Sequence, residues 1–183
     1  MRKIVDSAFE ISSVIVSSLV AVVLIFCFCF RLTTVDGKSM VPTLSDGDKL
    51  ITTAMKSDYA FKDIVVIVEP NGLNKPIIKR VIATEGQWVD VRYNEGIVYV
   101  GESADNLIPL DEKYTNSLTD AVPYDDNHEY PVQVPENCYF VMGDNRNHST
   151  DSRSYMVGFV NENYILGKAL LRIVPYGDFN IYE

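Results

Sequence analysis

A serine stands in a short, constrained segment early in the chain. It is Ser39, within the run Gly37-Lys38-Ser39-Met40-Val41-Pro42-Thr43-Leu44. Pro42 restricts the residue before it to extended geometry. The rigid Pro42 and the small Gly37 would therefore hold the Ser39 hydroxyl in a defined turn, which suits a nucleophile. Serine and threonine in turns also satisfy neighbouring backbone groups, so this segment alone does not establish catalysis.

A lysine forty positions later interrupts an apolar run. The run is Lys75–Ala83, and alternation along a strand places Ile77, Lys79 and Val81 on one face. Burial on an apolar face lowers the pKa of a lysine from its usual value of about 10.4. Neutral lysine is a competent general base for a serine hydroxyl, and the chain has only two histidines. A lysine that reaches solvent or lies on an exposed edge would produce the same pattern.

A third segment, Gly143–Arg153, concentrates opposite charges and hydroxyls directly after the apolar run Cys138–Met142. Ser149 would hydrogen-bond a neutral lysine amine and orient it, as the third group of a nucleophile–base–orienter set. Ion pairs would fix the shape of the loop, and the predicted participants are Asp144, Asp151, Arg153 and Arg80. The alternative is a structural polar turn, and two aspartates are too few for a persuasive calcium loop.

An uncharged segment precedes all three patterns. Residues 11–30 contain four serines as their only polar side chains, and as a helix they would cover about 30 Å, the thickness of a bilayer core. A buried core helix and a cleaved signal peptide are the alternatives. Twenty residues is long for a signal-peptide core, and Phe28-Cys29-Phe30-Arg31 lacks small residues for cleavage. We predict a retained transmembrane helix, with a short cytoplasmic head at residues 1–10 and residues 31–183 on the outer face of the cell membrane.

The outer part has the pattern of an antiparallel β domain. Runs rich in Val, Ile, Tyr and Thr alternate with turn formers, and Asn71-Gly72 and Glu95-Gly96 are typical hairpin connections. The predicted strands are Lys49–Met55, Ile64–Glu69, Lys75–Thr84, Trp88–Tyr93, Ile97–Val100, Cys138–Met142 and a last one near Tyr164–Val174. Residues 101–136 are rich in Ser, Asn, Asp and Pro, so we expect a less regular excursion there. The fold class is therefore mainly β, preceded by one transmembrane helix.

Composition excludes several functions. Residues 32–183 carry 13 basic and 23 acidic residues, a net charge of −10. Such a surface argues against nucleic acid as a partner and against electrostatic docking on anionic lipid. Cys138 is alone outside the apolar segment, so no disulfide within the domain is expected, and no zinc pattern is present.

Together the three segments resemble the type I signal peptidase family. The family's nucleophile box is matched by Ser39-Met40-Val41-Pro42-Thr43, its lysine box by Lys79-Arg80-Val81, and its carboxy-terminal box by Gly143–Arg153. All three occur in order behind a single span, and the resemblance covers essentially the whole chain. The lysine is similar to bacterial members, and the short excursion to the Gram-positive subset.

The resemblance implies an antiparallel β fold shared with self-cleaving repressors, and a serine endopeptidase that removes signal peptides from exported preproteins. By the same resemblance Ser39 is the nucleophile, Lys79 the base and Ser149 its orienter, and Arg146 joins the charged residues that hold the site together. It implies no cofactor. Expected partners are preproteins with small residues at positions −1 and −3, membrane lipid and the secretion translocon. Candidate pocket residues are Val35, Met40, Leu44, Ile77 and Ile78.

One position departs from part of the family, and three competing functions remain. Some members supply an oxyanion-hole hydroxyl two residues before the nucleophile, where this chain has Gly37, so the hole would depend on backbone N–H groups. A self-cleaving repressor would carry a DNA-binding domain in place of the span. An inactive relative that assembles surface structures such as pili would not need both Ser39 and Lys79, and a structural surface protein would not need a buried lysine.

Overall fold

A long N-terminal helix precedes the β domain. The computed structural model describes residues 2–55, 58–68, 73, 75–115 and 128–175. Helix α1 spans Arg2–Cys29, and its segment Phe9–Cys29 is long and apolar enough to cross a membrane, with none of it buried against the protein. We predicted that the helix would include Phe30, but this residue begins a strand because it pairs with Thr53.

The described part of the outer region forms two antiparallel sheets. The larger sheet has the order β1-β2-β11-β3-β4-β9-β10 and the smaller one β7-β6-β5-β8. The strands are β1 Phe30–Thr34, β2 Lys49–Thr53, β3 Ile64–Ile67, β4 Ile77–Ala83, β5 Trp88–Arg92, β6 Ile97–Ser103, β7 Asn106–Pro109, β8 Val132–Gln133, β9 Cys138–Met142, β10 Val160–Asn161 and β11 Ile165–Val174, with a 3-10 turn at Glu162–Tyr164. The predicted mainly antiparallel β class is confirmed.

The predicted strands correspond to β2–β6, β9 and β11, with ends that differ by a few residues. The Glu95-Gly96 hairpin joins β5 to β6, and Gly96 adopts a φ of 70°. Strand β1 was not predicted, and it pairs with β2 directly after the helix. In the stretch 101–136 the structure places the end of β6 and the short strands β7 and β8. The predicted Asn71-Gly72 turn lies outside the described residues.

Three apolar clusters support the sheets. One joins β3, β4, β9 and β11, and includes Ile77 and Val81, which flank Lys79 on its face of β4. A second links the two sheets through Ile82, Phe140 and their neighbours. A third lies beneath residues 37–44, which carry Ser39 and are called the serine turn. It consists of Val35, Met40, Leu44, Leu50, Ile64 and Ala169. The segment that carries Ser39 is therefore anchored by its own apolar side chains.

Candidate active site

Strand β4 places Lys79 next to Ser39. Antiparallel pairing with β3 on one side and β9 on the other makes β4 an interior strand, and Lys79 is only 3% exposed. Its Nζ lies 2.8 Å from Ser39 Oγ and donates to the Ile78 carbonyl at 3.0 Å. The two residues that the sequence placed forty positions apart thus form one hydrogen-bonded pair.

Burial lowers the pKa of Lys79 to about 8, from an ordinary value of 10.5. Desolvation is the largest cause, because the charged ammonium loses its contact with water. The carboxylates of Asp151 and Asp144 raise the pKa and offset part of this effect, whereas the cations Lys75 and Arg153 lower it further. A neutral amine beside a serine hydroxyl can accept the proton of that hydroxyl.

The serine turn is held by hydrogen bonds within the turn and by a hydrogen bond from the sheet. Gly37 has a φ of +92°, which favours glycine at this position, and the Leu44 N–H donates to the Met40 carbonyl at 2.9 Å. Arg172 of β11 donates to the Thr43 carbonyl at 3.1 Å. These contacts leave Ser39 partly exposed while its neighbours are held in the core.

The loop that follows β9 holds the backbone of the serine turn. The Asn145 N–H donates to the Ser39 carbonyl at 3.0 Å, and its side-chain amide donates to the Lys38 carbonyl at 3.0 Å. Gly143 packs so closely that a Cβ there would collide with the Ser39 carbonyl oxygen and with Ser149 Oγ. Close approach therefore requires glycine at the start of this loop.

The predicted charged residues form buried ion pairs. Arg80 binds Asp144 in bidentate fashion at 2.9 and 2.7 Å, and Arg153 binds Asp151 at 2.8 and 2.9 Å. Burial opposes ionisation of Asp151, but Arg153 and the Gly143 N–H outweigh it and hold the pKa of that carboxyl below its usual value. Arg146 donates to the Gly143 carbonyl at 3.1 Å, so the structure brings all five predicted charged residues into one network.

Ser149 lies against Gly143 near the Ser39 carbonyl, and it forms no hydrogen bond with Lys79. Its Oγ is buried and forms no well-aligned hydrogen bond with any described residue, and the Lys79 amine donates to the Ile78 carbonyl instead. The Ser149 hydroxyl is near enough to Asp151 to help lower the pKa of that carboxyl. Its predicted orienting role is therefore not visible as a direct bond.

A groove of about 270 Å³ opens beside the pair. Its lining includes Thr33 and Thr34 at the end of β1, and Pro76, Ile77 and Ile78 around the start of β4. The rim carries exposed polar side chains, among them Asp36, Lys38, Lys75, His148 and Thr150. Such a groove is open enough to accept an extended chain beside Ser39.

The five predicted pocket residues separate into two groups. Ile77 and Ile78 line the groove. Val35, Met40 and Leu44 lie in the apolar cluster beneath it, because the serine turn folds back on itself and directs these side chains inward. Strand and turn patterns identified apolar positions near Ser39 but did not distinguish the groove wall from the core below.

Several site residues were not predicted. Asn145 lies in the Gly143–Arg153 segment, so its position was a usable signal, but its bonds to Lys38 and Ser39 were not foreseen. Glu112, which pairs with Arg146, had no signal because it lies in the excursion at 101–136. Among the described residues, no group of three or more His, Cys, Asp or Glu side chains is placed to hold a metal ion.

Comparisons with known proteins identify the family. A family model described as "Signal peptidase, peptidase S26" matches residues 8–174, so the chain belongs to this family and is a serine endopeptidase. It is 39% identical over 150 residues to a probable signal peptidase I-1 of Synechocystis, covering 75% of this chain and 67% of that protein. It is 32% identical over 167 residues to signal peptidase I of Bacillus amyloliquefaciens, covering 90% and 86%.

A solved signal peptidase I from Enterococcus faecalis is also similar in structure. The identity is 27% and the TM-score 0.45, with 62% of this chain and 98% of that chain covered.

Proposed function

We propose that this chain is a membrane-bound endopeptidase that removes signal peptides from exported preproteins, with Ser39 and Lys79 as its catalytic dyad. The observation that carries the proposal is the 2.8 Å hydrogen bond between Ser39 Oγ and the buried Lys79 Nζ. A lysine with a pKa of about 8 is partly neutral near physiological pH, as a general base must be.

The reaction is a two-step acyl transfer. Ser39 Oγ attacks the scissile carbonyl carbon while Lys79 Nζ takes the hydroxyl proton. The tetrahedral intermediate collapses as the C–N bond breaks, and Lys79 returns the proton to the leaving amine. Lys79 then deprotonates a water molecule that hydrolyses the acyl-enzyme ester, which frees Ser39 and releases the signal peptide.

Backbone groups supply the oxyanion hole in this proposal. The Ser39 N–H donates to no acceptor in the described part of the chain, so it is available to the developing oxyanion. The Gly37 N–H is already engaged by Asp46 Oδ1 at 2.8 Å, and Gly37 has no side chain to contribute. Ser39 itself therefore provides the main protein donor.

Ser149 completes the lysine's surroundings. A neutral amine that accepts a hydrogen bond from Ser39 has two N–H groups left, and one of them reaches the Ile78 carbonyl at 3.0 Å. The buried Ser149 Oγ is without a well-aligned partner and lies next to Gly143, which packs on the Ser39 carbonyl. In this proposal the second N–H of Lys79 turns to Ser149 during proton transfer.

The substrate binds as an extended strand in the groove, with small residues at positions −1 and −3 facing the apolar wall formed by Ile77 and Ile78. Helix α1 anchors the enzyme with its N-terminus in the cytoplasm and the β domain outside. Leu32 lies in β1 directly after the span, and Met55 follows β2, which pairs with β1. Each is 63% exposed and would meet membrane lipid. This location would also bring the site close to the secretion translocon.

The proposal is tested with the full-length chain in detergent, which is given a preprotein that carries an Ala-x-Ala site. Wild type should cut at the site, and Ser39→Ala and Lys79→Ala should not. Matched substitutions at exposed positions, Ser45→Ala and Lys49→Ala, should leave cleavage intact. Full activity of either dyad variant rejects the dyad, and no cleavage by folded wild type would favour a role in assembly of surface structures.

A further inference from the structure

Three buried arginines near the candidate active site belong to β4 and the loop after β9, and each is paired with a carboxylate. Arg80 and Arg153 pair with Asp144 and Asp151, which belong to the loop after β9. The third, Arg146, pairs with a residue from a different region. Its partner is Glu112, which follows β7 in the excursion predicted at residues 101–136.

The Glu112–Arg146 pair is a fork of two hydrogen bonds. Arg146 Nη1 lies 2.6 Å from Glu112 Oε2, and Nη2 donates to Oε1. The two side chains are 8% and 2% exposed. Tyr114 Oη donates a further bond to Glu112 Oε1 at 2.8 Å. A bidentate pair fixes the plane of the guanidinium as well as its distance, so Glu112 determines how Arg146 is oriented.

Arg146 passes that orientation to the backbone of the active site. Its Nε donates to the Gly143 carbonyl at 3.1 Å, and its own carbonyl accepts from Arg153 Nη2 at 2.7 Å. Gly143 in turn packs directly against the Ser39 carbonyl and Ser149 Oγ. One guanidinium therefore connects Glu112 with the residue on which the nucleophile's backbone rests.

The same segment also covers the neighbouring ion pair. The Tyr114 ring stacks on Arg80, with its centroid 4.0 Å from Cζ, and the Tyr114 carbonyl accepts from Thr43 Oγ1 at 3.5 Å. Thr43 also donates to Asp144. Residues 112–114 thus contact both the loop after β9 and the serine turn, and we call them the strap.

We infer that Glu112 is a positioning residue of this peptidase, which acts through Arg146 and Gly143 to hold Ser39 and Ser149 in the geometry for acyl transfer. The inference rests on the proposed dyad. The strap touches neither the groove nor the reacting atoms, so loss of Glu112 should impair the chemical step more than peptide binding. Displacement of reacting groups by about 1 Å can lower a rate by about a hundredfold.

The main test compares full-length wild type with Glu112→Gln and Glu112→Asp in detergent, on an Ala-x-Ala peptide. For Glu112→Gln we expect kcat to fall at least about tenfold while KM stays within about twofold. Glu112→Asp keeps the charge and should recover part of kcat. The acid limb of the pH profile should not move, because the largest charge effects on Lys79 come from other residues. Glu95→Gln, which breaks an exposed ion pair with Arg92, is the matched control.

Each variant is assayed well below its own unfolding temperature, so that loss of fold is separated from loss of rate. If Glu112→Gln does not fold, Tyr114→Phe replaces it, since this change removes one hydrogen bond to Glu112 and keeps the ring on Arg80. We then expect kcat to fall about threefold at unchanged KM. A folded Glu112→Gln or Tyr114→Phe enzyme with wild-type kcat, or a loss confined to KM, overturns the inference.

A second readout separates this inference from the proposed function. The rate at which a fluorophosphonate labels Ser39, followed by intact mass, does not require preprotein cleavage. Slower labelling of Glu112→Gln supports the positioning role even if wild type cuts no preprotein, and labelling at the wild-type rate overturns it. Ser39→Ala, which should not be labelled, identifies the site of reaction.

Discussion

Lys79 and Arg80 are adjacent on β4, and both cations are withdrawn from water, with 3% and 0% of their surface exposed. Arg80 meets Asp144 through two short hydrogen bonds and gives a third to the Lys62 carbonyl. Among the described residues, Lys79 forms hydrogen bonds only with a hydroxyl and a carbonyl. The carboxylates of Asp151 and Asp144 raise the pKa of Lys79, but neither forms an ion pair with it.

If the proposed dyad is right, one strand serves both structure and catalysis. A buried charge that is fully paired stays charged, and it fixes the surrounding loops. A buried amine without an ion pair releases its proton more easily, which a general base requires. Alternation along β4 directs the two side chains to opposite faces, so the two environments lie one residue apart.

Replacement of Lys79 by arginine removes this difference and should have the largest effect. Arginine retains its proton at any accessible pH, so Lys79→Arg would keep a cation but lose the base. We expect kcat/KM to fall about 10⁴-fold, or about 5 kcal/mol of barrier. Preprotein cleavage by folded variant and wild type measures this loss, and a decrease of less than about tenfold would contradict the assignment of Lys79 as base.

Disruption of the Arg80–Asp144 ion pair should lower the stability of the fold. Asp144→Asn leaves a buried guanidinium without its charge partner, and the free energy of unfolding should fall by about 3–5 kcal/mol. Asp90→Asn, which breaks the more exposed pair with Arg92, serves as control and should cost no more than about 1 kcal/mol. Denaturation of both variants in the same detergent compares them. An equal loss in the two would mean that Asp144 is not structurally special.

The sequence predicted the Lys79 side of this comparison better than the surrounding contacts. A lysine within an alternating apolar strand indicated both the strand and the burial of the amine, and both are found. The seven predicted strands are present for the same reason. Alternation of apolar and polar side chains is a local pattern, so neighbouring residues are enough to reveal it. Strand β1 was missed because its sequence, Phe-Arg-Leu-Thr-Thr, alternates weakly and directly continues an apolar helix.

Contacts that join distant segments could not be read from local patterns. Glu112 has an ordinary acidic neighbourhood in sequence, and only the fold brings it to Arg146. Met40 and Leu44 looked suitable for a pocket because they flank Ser39, yet the turn directs them into the core. Periodicity identifies a buried face, but which buried residues border a groove depends on tertiary packing.

The buried amine should also lower stability in a pH-dependent way. Since the pKa of Lys79 falls from 10.5 to about 8 on folding, wild type carries a deficit of roughly 3 kcal/mol below pH 8. Between pH 8 and 10.5 the unfolded chain binds the extra proton, so this deficit shrinks as the pH rises. Lys79→Met should therefore be about 3 kcal/mol more stable at pH 7 and equal to wild type above pH 10.5. An equal advantage at both pH values would reject a desolvated amine.

The smallest predicted effect concerns the charge at the groove rim. Wild-type kcat/KM should rise with pH through an apparent pKa of about 8, as Lys79 becomes neutral. Lys75 is exposed, and its charge lowers the pKa of Lys79. Lys75→Gln should therefore move the rising limb of the kcat/KM profile to higher pH by about 0.3 units. Lys49→Gln, at an exposed position on β2, should leave it in place. Salt should reduce the Lys75 effect, because rim charges are screened while the burial that lowers the lysine's pKa is not.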